Sequence, residues 1–100
     1  MTIKEIREGN TLTIKLDGRL DVLTAPEFGK LLESGLDEVT DLVIDLKDLN
    51  YISSAGLREM VTAQQLMAAQ GSMKIINVNE IVKEIFEETG FIDFMDMEFI

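Results

Sequence analysis

Leu42-Val43-Ile44-Asp45-Leu46, followed after a short polar spacer by Tyr51-Ile52-Ser53-Ser54-Ala55-Gly56-Leu57-Arg58, decides how this chain folds. The first stretch is an almost unbroken apolar run of strand length, and from Ala55 to Ala69 the residues Leu57, Met60, Val61, Met67 and Ala68 recur at helical spacing. A buried strand therefore hands over to an amphipathic helix, with two serines at the helix N-terminus. A hydroxyl in that position caps free backbone N–H groups, and an anion there meets the positive end of the macrodipole. The same short segment thus announces a strand, a helix and a place that tolerates a phosphate.

Upstream, Ile3 to Arg7 and Thr11 to Leu16 read as a hairpin joined across Gly9-Asn10, a pair that accepts positive φ. In its second strand Leu12, Ile14 and Leu16 alternate with Thr11, Thr13 and Lys15, so one face is wet. Thr24 opens a first helix, with Pro26 in its first turn and Glu27 placed to complete a capping box; Phe28, Leu31, Leu32 and Leu36 form its inward stripe. Downstream, Gly71 ends the second helix and Lys74 to Val78 make a fourth strand. A third helix starts near Glu80, turns Ile81, Val82, Ile85 and Phe86 inward and stops at Gly90, and Phe94 to Ile100 alternate as a last strand. The order ββαβαβαβ predicts an α/β domain with a mixed sheet of about five strands. Because Asp45 interrupts the outward side of the third strand, the helices are expected mainly on one face. Right-handed crossovers then bring the loops after Leu16 and Leu46 to one edge of the sheet, making Gly18 to Asp21 neighbours of Ser53 and Ser54.

With 100 residues and no internal repeat, the chain makes one domain, residues 1–100. Nineteen acidic against nine basic residues give a net charge of −10, which disfavours nucleic acid and anionic lipid as partners and favours a protein with a basic surface. There is no histidine and no cysteine, which excludes a Ser-His-Asp triad, histidine-bearing metal sites and thiolate chemistry. Asp45 and Asp48 with Ser53 lack the glycine and spacing of a calcium loop, so no metal site is expected. No apolar run approaches the ~18 residues of a membrane span, and the mixed-charge N-terminus is unlike a secretion signal, so a cytoplasmic protein is expected.

The serine motif, together with Gly18-Arg19-Leu20-Asp21 and Thr24-Ala25 upstream and Glu84-Ile85-Phe86 and Thr89-Gly90-Phe91 downstream, resembles the STAS family of anti-sigma-factor antagonists over essentially the whole chain. The resemblance implies a STAS-like single domain. In that family an Asp-Ser-Ser-Gly or Asp-Ser-Thr-Gly text precedes the helix, and a partner kinase phosphorylates the first hydroxyl residue. Registered on Gly56, that residue is Ser54; Ser53 stands where the family often has Asp, and Ala55 where it has the second hydroxyl. The implied function is a non-enzymatic switch, in which the chain binds an anti-sigma-factor serine kinase while Ser54 is bare and lets go once it is phosphorylated, a sigma factor being freed in the first state. The implied partners are that kinase and a serine phosphatase. ATP and magnesium would be held by the kinase, and this chain would need no cofactor, having no phosphate-binding glycine loop of its own.

Each site residue also has a plainer role. Ser53, one residue earlier than Ser54, is the better-placed N-cap. Asp21 is a solvated turn carboxylate, a cap on the helix that Thr24 begins or, as the resemblance implies, a charge beside the acceptor. Gly56 allows close approach of helix and sheet, and Arg58 is either solvated or pairs with a phosphate or a partner's carboxylate. The alternative function is a binding module of the same fold without a phosphoswitch, part of a lipid or anion transporter or of a signalling scaffold. A serine hydrolase is disfavoured because no nucleophile-elbow pattern surrounds Ser54.

Overall fold

In the computed structural model, which describes residues 1–100, the chain opens with β1 (Thr2–Glu8) antiparallel to β2 (Thr11–Leu20). Glu8 lies opposite Thr11 across a two-residue turn in which Gly9 takes φ +61°, the conformation that glycine adopts without steric cost. There follow α1 (Ala25–Ser34), β3 (Asp41–Ile52), α2 (Ser54–Ala68), β4 (Ser72–Val78), α3 (Glu80–Thr89), a 3-10 turn (Phe91–Asp93) and β5 (Met97–Phe99). The sheet order is β1-β2-β3-β4-β5, parallel from β2 onward. Each helical crossover therefore steps one strand in the same direction. Right-handed crossovers that never reverse direction place all their helices on one side of the sheet, which is why the other side stays open.

The core fills the space between that helical layer and the sheet. Ile14, Leu16, Ile44, Leu46 and Ile75 from the strands meet Phe28, Leu32, Met60, Met67, Val82 and Phe86 from the helices, all essentially inaccessible to water. On the open side Lys4, Lys15, Asp17 and Lys47 are exposed. The expected α/β domain with a mixed five-stranded sheet and one-sided helices is thus the fold observed.

Several local expectations fail for identifiable reasons. β2 continues to Leu20 and β3 to Ile52, so the strand-to-helix loops follow those residues and not Leu16 and Leu46. Register shifts between Lys15 and Asp17 and between Gly18 and Arg19 break the alternation, and strands carrying such irregularities look finished when read by period. The Thr24–Glu27 capping box does not form: Thr24 has helical dihedrals and makes no side-chain cap, because its hydroxyl is spent on the preceding turn. On the outer flanks of the helical stripes Val61 and Ile81 are exposed and Leu31 and Ile85 are half-buried. The last strand is only Met97–Phe99, preceded by the 3-10 turn, with Phe94 70% exposed. Asp45, expected as a solvated interruption, is buried, accepting from the Lys47 N–H and the Asn77 side-chain amide.

Two glycines are dictated by close approach. A Cβ on Gly71 would overlap the Thr40 carbonyl, where the chain turns from α2 into β4. One on Gly56 would sit 2.8 Å from both Ile52 Cγ1 and Leu20 Cγ, so the first turn of α2 lies directly on the ends of β2 and β3.

Candidate functional site: the start of the second long helix

β2 and β3 pair side by side up to Leu20 and Ile52, and both then leave the sheet at the same edge. The Ser53 N–H donates to the Leu20 carbonyl at 2.9 Å, which ties the two departing loops together. Ser53 is extended (φ −92°, ψ 175°), and its hydroxyl accepts from the Gly56 N–H at 3.3 Å while its carbonyl accepts from Leu57 N–H. It is therefore the N-cap of α2, as its position in the sequence predicts. Ser54 is the first residue of the helix and is exposed, standing beside an N-terminus whose positive dipole end favours added negative charge.

Asp21 organises the neighbouring loop. Its Oδ1 accepts from the Leu23 and Thr24 N–H groups and from the Thr24 hydroxyl, while the Asp21 N–H donates back to Thr24 Oγ1 at 2.8 Å. This reciprocal pair closes the turn that feeds α1. Partial desolvation pushes the Asp21 carboxyl up; the two backbone N–H bonds, the Thr24 hydroxyl and the charge of Arg19 together outweigh it and hold the group below its ordinary range. The Arg19 Nε lies 3.7 Å from Asp21 Oδ2, and its guanidinium stacks over the Tyr51 ring at 4.4 Å. Asp21 is thus a turn carboxylate that bonds the residues ahead of α1, and it supplies no cap to the helix itself. The fold brings the Gly18–Asp21 segment beside Ser53 and Ser54, as expected.

The same turn presents two side chains that periodicity misses. Val22 and Leu23 are 71% and 85% exposed, large aliphatic groups held out into water on the hydrogen-bonded turn between Asp21 and Thr24. They precede the helical stripe and so belong to no period; their signal in the sequence is an adjacent aliphatic pair between an aspartate and a helix start. Beside them a shallow groove of about 250 Å³ runs between the first turns of α1 and α2, lined by Val22, Ala25, Pro26, Ala55, Arg58 and Glu59. Arg58 has no carboxylate within ion-pair distance, the two ion pairs of the molecule being Arg19–Asp21 and Lys74–Glu98. No cluster of His, Cys, Asp or Glu in the structure has metal-binding geometry, and no helix is long and apolar enough to cross a membrane.

The capped helix start, tied to a second loop, lies at one edge of a one-sided α/β sheet, and the STAS domain model matches residues 2–99 of this chain. The chain belongs to the STAS domain family. It is 33% identical over 88% of its length to the anti-sigma-B factor antagonist of Bacillus subtilis (strain 168), covering 82% of that protein. The fold superposes on the crystal structure of an anti-sigma factor antagonist from Mycobacterium paratuberculosis with TM-score 0.86, at 17% identity and covering 97% of this chain and 84% of that one. It also superposes on a sulfate transporter family protein from Wolinella succinogenes with TM-score 0.79, at 11% identity and covering 93% and 80% of the two chains. These last two likenesses are of fold.

Proposed function

We propose that this chain is an anti-sigma-factor antagonist of the partner-switching kind: it binds an anti-sigma-factor serine kinase while Ser54 is unmodified, freeing a sigma factor, and releases the kinase when Ser54 carries phosphate. The observation that carries the reading is the exposed Ser54 at the first position of α2, flanked by the exposed Val22 and Leu23, in a chain related to an anti-sigma-B factor antagonist. Val22, Leu23 and the groove beside them supply apolar surface for the partner, and Arg58 supplies an uncommitted cation. Ser53 holds the helix start and leaves the Ser54 hydroxyl to the kinase. The chain contributes no catalysis and no cofactor; ATP and magnesium belong to the kinase, and a serine phosphatase restores the bare hydroxyl.

Phosphorylation adds about −1.5 to −2 charge to a patch that the partner must cover. Desolvating that charge without a cation costs several kcal/mol, and a net penalty of ~3 kcal/mol weakens the complex about a hundredfold. Incubation with the cognate kinase and ATP should place one phosphate on Ser54, and Ser54→Ala should abolish labelling. Calorimetry should then give tight binding for the bare protein, intermediate binding for Ser54→Asp and much weaker binding for the phosphorylated form. Equal affinity for all three rejects the switch. It would instead favour a constitutive binding module of a transporter or scaffold, a reading that draws on Ser53 standing where the family often has Asp.

A further inference from the structure

We infer that the open face of the sheet carries a second binding site, specific for a small molecule that combines a phosphate with an ammonium group. A cleft of about 300 Å³ on that face is lined by Thr2, Lys4, Lys15, Asp17, Asp45, Lys47 and Asp48, with Leu16 at its floor. It lies on the opposite side of the sheet from the helices and is separate from the surface around Ser54. In a chain with nine basic residues, the cleft gathers three of them.

Two observations point to an occupant. Asp45 is only 8% exposed, and its Oδ1 is saturated by the Lys47 N–H and by the Asn77 side-chain amide at 3.1 Å. Its Oδ2 has no partner in the chain and, not being sealed off, opens into the cleft. An acceptor oxygen that no donor of the chain occupies, on a side chain otherwise fixed by two hydrogen bonds, can take a donor from a ligand in the cleft. Asn77, which supplies that amide, takes φ +56°, a left-handed backbone that asparagine tolerates better than most residues. The second observation is that none of Lys4, Lys15 and Lys47 approaches any carboxylate within ion-pair distance, although three aspartates line the same cleft. Three ammonium groups match the three terminal oxygens of a phosphate better than the two of a carboxylate. Asp45, assisted by Asp17 and Asp48, matches the donors of an ammonium group. The free metabolite and a lipid headgroup both offer this chemistry.

The test titrates the isotope-labelled full chain with O-phosphoethanolamine and follows backbone amide shifts. Saturable shifts should map to Lys15, Asp17, Lys47 and Asp48. Asp45→Asn should weaken phosphoethanolamine about tenfold and leave inorganic phosphate unaffected, whereas Lys15→Gln and Lys47→Gln should weaken both. Asp48→Asn, at an exposed position, repeats the Asp45 experiment should that variant fail to fold. Co-sedimentation with phosphatidylethanolamine vesicles, against phosphatidylcholine alone, assigns the headgroup; binding of the free molecule without vesicle binding assigns a soluble ligand. Absence of saturable shifts at these amides, or shifts indifferent to the aspartate and lysine variants alike, overturns the site.

Discussion

Ser53 and Ser54 are adjacent and chemically identical, yet replacing them should have separable effects. Ser53→Ala removes the oxygen that accepts from the Gly56 N–H at 3.3 Å and leaves that donor at the helix start without a side-chain partner. Loss of a serine N-cap costs about 1 kcal/mol. For a domain of this size that corresponds to a fall in melting temperature of roughly 4–8 °C. Ser54, exposed and already inside the helix, loses no cap on conversion to alanine and gains slightly in helix propensity, so Ser54→Ala should change stability by less than about 0.5 kcal/mol. Thermal unfolding followed by far-ultraviolet circular dichroism measures both; labelling by the kinase should show the reverse pattern, lost in Ser54→Ala and retained in Ser53→Ala. If Ser54→Ala destabilises as much as Ser53→Ala, the two hydroxyls share the capping, and the division between a structural and a regulatory serine is wrong.

Gly56→Ala should destabilise by about 1–3 kcal/mol in denaturant titrations, since the new methyl meets core carbons of Leu20 and Ile52 at 2.8 Å. Gly29→Ala on α1 meets only the movable end of Glu59 and should be neutral or stabilising, so equal losses at both positions would refute the packing argument. Asp21→Asn should lower the melting temperature at neutral pH, by an amount that shrinks as the pH falls below the ordinary carboxylate range. The folded carboxyl titrates below its ordinary value, so its contribution is present above that value and is lost as pH falls through the depressed one; a gap independent of pH would show that the charge of Asp21 is not what holds the turn.

Periodicity and punctuation determined much of this protein by themselves. The apolar run through Leu42–Leu46, the glycines at 9, 71 and 90 and the stripe containing Phe28, Met60, Met67, Val82 and Phe86 specify strands, turns and inward faces through local sterics and burial, and the element order follows from them. Ser53 as N-cap and Gly56 as a close-approach residue were legible for the same reason, because capping and Cβ clashes are properties of one short segment. The tertiary structure decided what depends on partners distant in sequence. Pairing with β3 carries β2 past its register shifts to Leu20, and the Arg19 carbonyl and the Asp21 amide claim the Thr24 hydroxyl, at the expense of the capping box. Burial of Asp45 rests on Asn77, thirty-two residues away, and the exposure of Val22 and Leu23 on a turn closed by side chains. A period in the sequence records which face of an element is apolar. It does not record which donor a carboxylate will meet or which neighbour will extend a strand, because those are set only when separate segments are brought together.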